Sequence, residues 1–209
     1  MEFVSSYKAQ FEKIHLAIEL SKDSIYKGIQ LYFSPVSQSE ILFIGINPGS
    51  GYFNYNDRIV KRLSPLKSFE YNKQKYMLAA QTKQMFKEIG MSSFSNSVKI
   101  NHFPFATENE KDLYKLLNRY DKIHKIYYLS KQYVCESIDF VNPKLIICEG
   151  KSSFDRLKIM WNVDPIEYNA DTFVMKKGEM VAIGYRRIMS HIKAKKEVQA
   201  KIKQYHLKS

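Results

Sequence analysis

Apolar residues recur at helical spacing early in the chain, where Tyr7, Phe11, Ile14 and Ile18 predict an amphipathic helix, and Ile25 with Ile29 predicts a second, short one. The pattern then changes. "EILFIGI" is a continuous apolar run closed by Asn-Pro-Gly, the signature of a strand buried on both faces. Residues 51 to 72 are polar and aromatic and predict a long loop. Leu78, Thr82, Met85 and Ile89 predict a helix stopped by Gly90, and "SVKIN" a strand ending at Asn101. "HFPFATENEKD" reads as a loop leading to helices around Leu113 to Leu117 and Ile126 to Phe140. "PKLIICEG" predicts a third buried strand, after which a helix opens at Ser152 or Ser153. Thr172 to Met175 and Met180 to Gly184 predict strands joined by a tight "KKGE" turn, and a last helix turns Val198, Ile202 and Tyr205 inward.

Strands alternating with helices predict an α/β fold, a three-layer α/β/α arrangement around a central, mostly parallel four-stranded sheet. No repeat or linker divides the chain. A single domain over residues 1–209 is expected, with N-terminal helices to residue 40, an α/β core over 41–192 and a basic C-terminal helix over 193–209.

Charge adds a partner. The 33 Lys and Arg against 21 Asp and Glu give a net +12, which favours a polyanion, and "HIKAKKEVQAKIKQYHLKS" concentrates that charge. The N-terminus is too charged for a signal peptide and no apolar stretch approaches a membrane span, so an intracellular, cytoplasmic protein with no membrane partner is expected. Two cysteines are too few for a disulfide framework or a Cys-rich zinc site, and the five histidines are scattered. No metal and no cofactor are expected.

In parallel sheets, ligands bind beyond the carboxyl ends of the strands. Those ends here collect Asn47, Asn101, Gly150 to Ser153, and Ser190 with His191, with no Walker lysine, nucleophile elbow or His-x-x-x-His spacing.

"GINPG" (45 to 49) and "NHFPFA" (101 to 106) resemble the first two motifs of the uracil-DNA glycosylase superfamily, closest to its mismatch-specific and single-strand-selective branches. "PKLIICEGKSSF" is similar to the family's third strand and phosphate-contacting helix start, and "SHIKAKK" falls where the family has its His-containing DNA-insertion loop. The resemblance spans roughly residues 41 to 195, in the family's motif order. It implies the family's fold and a monofunctional DNA glycosylase that hydrolyses the N-glycosidic bond of uracil or a related damaged base, acting as a monomer on single- or double-stranded DNA.

The resemblance also implies roles. Asn47 holds the attacking water through its carbonyl oxygen, and His191 donates to the departing base. Gly45, Ile46, Pro48 and Gly49 shape the base pocket, Asn101 reads the base, and its amide must be locked against flipping. Phe53 is favoured for stacking on the base, with Tyr52, Tyr55 and Phe69 as alternatives. Gly150, Lys151, Ser152, Ser153, Ser190 and Lys193 grip phosphates, and Ile192 or Lys193 enters the duplex. The motif before the lysines lacks the family's usual Pro, which leaves an alternative open: an inactive relative acting as a basic DNA-binding module.

Overall fold

The computed structural model describes residues 2–49 and 60–207, the side chains of residues 2–5 excepted. Helix α1 (Glu2–Leu20) buries Tyr7, Phe11, Ile14 and Ile18 on one face, as the spacing predicts. It is followed by strands β1 (Gly28–Gln30), β2 (Ile41–Gly45) and β3 (Val60–Arg62), then helices α2 (Glu70–Lys73) and α3 (Met77–Glu88). Strands β4 (Val98–Asn101) and β5 (Phe105–Ala106) precede helices α4 (Glu110–His124) and α5 (Ile126–Val141). Next come β6 (Leu145–Cys148), α6 (Lys151–Trp161), β7 (Glu167–Tyr168), β8 (Thr172–Lys177) and β9 (Met180–Tyr185). A short hairpin of β10 (Arg187–Ile188) and β11 (His191–Ile192) leads into α7 (Lys195–Tyr205).

The main sheet has the order β4-β2-β6-β9-β8-β7. Its first four strands run parallel, and β8 and β7 extend it antiparallel. The four-stranded expectation therefore corresponds to the parallel part of a six-stranded sheet. Alternate residues of the buried strands face opposite sides, so each strand feeds two cores. Leu42 and Ile44 pack with Phe11, Leu116, Val134 and Leu157, on the side of α1, α4, α5 and α6. Ile41 and Phe43 pack with Phe86, Val198 and Ile202, on the side of α3 and α7.

One expected element is replaced. Ile25 and Ile29 do not share a helix; Ile29 lies in β1, which pairs parallel with β3 and antiparallel with β5. The cause is Gly28, whose φ of +133° is foreign to a helix. A Cβ there would stand 2.2 Å from the Val60 carbonyl oxygen, so β1 and β3 meet at a distance only glycine permits. The loop expected over 51 to 72 likewise contains β3 and the one-turn α2 within its described part.

Candidate functional site

Register brings the strand ends level. Gly45 pairs with Asn101, Ile44 with Cys148, and Cys148 with Gly184. Above these ends lies a cavity of about 280 Å³ whose lining includes Gly45, Asn47, Pro48, Gly49, Asn101 and Ser190. Two sites from "GINPG" and "NHFPFA", 54 positions apart in number, thus share one concavity.

Asn47 is oriented by its amide nitrogen. Nδ2 lies 3.2 Å from Thr107 Oγ1, 3.4 Å from the Phe105 carbonyl oxygen and 3.2 Å from that of Pro48. Thr107 Oγ1 donates onward to the Asn109 carbonyl at 2.8 Å, so it meets Asn47 as an acceptor. With the NH2 end committed to acceptors, the carbonyl Oδ1 is the end left to serve a ligand or water.

Asn101 is buried, lines the same cavity and forms no side-chain hydrogen bond among the described residues. No hydrogen bond among the described residues supplies the lock expected on its amide. Its Oδ1 lies 2.1 Å from where a Cβ on Gly45 would stand, so Gly45 is the residue that makes room for the carboxamide.

The cavity floor is ionic, which the sequence reading missed. Lys99 Nζ donates to Tyr71 Oη at 2.7 Å and lies 3.1 Å from Glu149 Oε2 and 3.4 Å from Glu70 Oε2. Tyr71 donates to Glu149 Oε1, and Tyr76 to Glu70 Oε1 at 2.9 Å. The side chains of Lys99, Glu149 and Glu70 are 7, 3 and 2% exposed, so water contributes little to their solvation and they depend on one another. Burial, reinforced by the Glu149 charge, pushes the Tyr71 phenol well above its ordinary range and keeps it a donor. Strand parity carried a signal: Lys99 and Asn101 alternate with the core residues Val98 and Ile100, and Glu149 shares parity with Ile147.

The phosphate-gripping set is only partly available. Ser153 Oγ donates to the Ile44 carbonyl at 2.6 Å and is fully buried, and Ser152 Oγ donates to Glu110 Oε2 at 2.9 Å. Lys151 Nζ pairs with Asp155 at 2.6 Å. The two serines tie α6 to the fold, and the Lys151–Asp155 pair lies within α6. Arg187, unremarked in the sequence, lines the cavity and brings Nε to 3.6 Å from where a Cβ on Gly150 would stand. It links the head of α6 to the cavity rim.

His191 is exposed on the β10–β11 hairpin, 3.5 Å from Gln81 Nε2, and is absent from the cavity lining, unlike its neighbour Ser190. Ile192, expected as a duplex wedge, is 6% exposed and packs in the core, while Lys193 is exposed. The hairpin instead presents Met189, 89% exposed at φ +52°, beside the half-exposed Ile188. Ile46 also belongs to the core, and Phe69 stacks on Phe43 at 5.4 Å, away from the cavity. Phe53, Tyr52 and Tyr55 lie outside the described residues. Phe33 and Tyr76 are the aromatic rings in the described lining.

His102 follows Asn101 but turns into the core. Its Nε2 donates to the Ser153 carbonyl at 3.0 Å and its Nδ1 has no partner among the described residues. Burial, helped by nearby Arg156, lowers its pKa to about 3. The unfolded chain therefore takes up this proton first, near pH 6.5, while the folded chain resists it to about pH 3. Stability is full above pH 6.5 and should fall as pH drops through that window, by up to ~1.4 kcal/mol per pH unit from this group. Urea unfolding between pH 4 and 6 should show a shallower slope for His102→Gln; an unchanged slope would contradict the neutral buried imidazole.

Among the described residues no group of three or more His, Cys, Asp or Glu is arranged to hold a metal ion, and no helix is long and apolar enough to cross a membrane. Neither a comparison with protein-family models nor one with curated proteins yields a match to this chain.

Proposed function

We propose that the protein is a monofunctional DNA glycosylase that takes uracil or a related damaged base out of the helix and hydrolyses its N-glycosidic bond. The observation that carries this reading is the Asn47 carboxamide, tethered through Nδ2 with Oδ1 left over, in the lining of a cavity shared with Asn101, whose side chain forms no hydrogen bond among the described residues. Cleavage develops positive charge on the sugar and negative charge on the base, and needs water delivered to C1′. An Asn oxygen orients water without taking its proton, which suits a reaction driven by departure of the base. The net +12 charge supports a DNA partner. Arg187 and the head of α6 are suited to the phosphates beside the flipped nucleotide, and Met189 to the gap it leaves.

The test is to incubate the full chain with single- and double-stranded oligonucleotides carrying uracil or other altered bases, then reveal abasic sites with alkali. Abasic sites support the reading. The position of His191 outside the cavity lining favours the second reading, a DNA-binding module without catalysis, and DNA binding with no abasic site on any substrate would establish that one instead. Met189→Ala should slow excision from duplex about tenfold and leave single-stranded substrate within about twofold, because only a duplex has a stack to fill. Equal effects on both substrates would remove Met189 from that role.

A further inference from the structure

The cavity floor holds an acceptor that a uracil pocket does not need. Glu149 Oε2 and Asn101 Oδ1 converge above Gly45, 3.4 and 2.1 Å from where its Cβ would stand. Asn101 is 4% exposed, lines the cavity and has no side-chain hydrogen bond among the described residues. Glu149 Oε1 accepts from Tyr71, and Oε2 meets Lys99 at 3.1 Å with lone-pair capacity left for a ligand. Lys99 donates to Tyr71 and lies 3.1 Å from Glu149 Oε2 and 3.4 Å from Glu70 Oε2, so its charge holds the carboxylate in place.

With the Asn101 oxygen on the Glu149 side, where it stands above Gly45, the floor offers the Asn101 NH2, the Asn101 oxygen and the Glu149 carboxylate: donor, acceptor, acceptor. Uracil presents acceptor, donor, acceptor across its N3 edge, which sets its second carbonyl against the carboxylate. A base with a carbonyl, a ring N–H and an exocyclic amino group in a row presents acceptor, donor, donor. That is the edge of guanine and of isocytosine. We infer that the cavity selects a base with this amino-oxo edge, an altered guanine in DNA, over uracil, and that Glu149 makes the choice. The inference rests on the base-flipping reading above. Lys99 and Tyr71 are positioning residues for the carboxylate.

Calorimetric titration of the full chain with two pairs of probes isolates the amino group: deoxyguanosine against deoxyinosine, and isocytosine against uracil. The amino member of each pair should bind about tenfold more tightly or better. Glu149→Gln, which trades a carboxylate oxygen for an amide, should bring each pair within about threefold. Should that buried variant fail to fold, the wild-type ratios alone decide. Equal or tighter binding of deoxyinosine and uracil overturns the inference.

The abasic-site assay, run in parallel on oligonucleotides carrying uracil, hypoxanthine or N7-methylguanine, separates this claim from the one beneath it. Abasic sites from uracil alone overturn the inference and leave the glycosylase reading standing. An amino preference with no abasic site from any oligonucleotide supports the recognition and overturns excision.

Discussion

Asn47→Ala is expected to lower the rate of abasic-site formation by roughly 10²–10³-fold on whichever oligonucleotide the wild type cuts best, the scale seen when one oriented polar group is removed from a reaction centre. DNA affinity should change little, because Arg187 and the head of α6, proposed above for the phosphates, are separate from Asn47. The variant loses the Asn47 bonds to Thr107 and Phe105 but buries no charge, so a thermal melt should show it folded. A loss of less than about fivefold would mean that the water is held by another group. Loss of binding together with rate would move Asn47 from water positioning to the general shape of the turn.

Lys99→Met is expected to have the largest effect on stability. It leaves Glu70 and Glu149 facing one another, buried, without their shared cation. Removing one partner of a buried ionic group costs about 3–5 kcal/mol, because the remaining charge stays desolvated. For a chain of this size that corresponds to a melting temperature lower by roughly 6–20 °C. Adding Glu149→Gln to Lys99→Met should restore a large part of the loss. A single-variant cost below about 1 kcal/mol would show that the three side chains do not act as one ionic unit.

Much of the frame was legible in the chain. "EILFIGI" and "PKLIICEG" are continuous apolar runs because β2 and β6 are interior strands covered on both sides, and such runs mark parallel strands directly. The site was legible where turn chemistry marked it. Asn47 beside Pro48 and Asn101 at a strand end both line the cavity. What escaped has physical causes. Ile25 and Ile29 have helical spacing, but the close approach of β1 to β3 at Gly28 is a tertiary fact that no local period encodes. Ser152 and Ser153 have the composition of a phosphate grip, yet their hydroxyls are used by Glu110 and the Ile44 carbonyl. Lys99 reads as an ordinary interruption of a short strand. Its meaning depends on Glu70 and Glu149, which lie 29 and 50 positions away.

The small sheet of β3, β1 and β5 ties the amino-terminal part of the chain to the cavity lining. Phe11 of α1 meets the Phe105 ring edge-on at 5.9 Å, Ile29 pairs with Phe105 across β1 and β5, and the Phe105 carbonyl faces the Asn47 amide. Helix α1 thus braces the Asn47 side chain from behind, through Phe105. On the proposed reading, variation at Phe11 or Ile29, neither of which lines the cavity, is expected to alter turnover through Asn47 more than the choice of base made at Asn101 and Glu149.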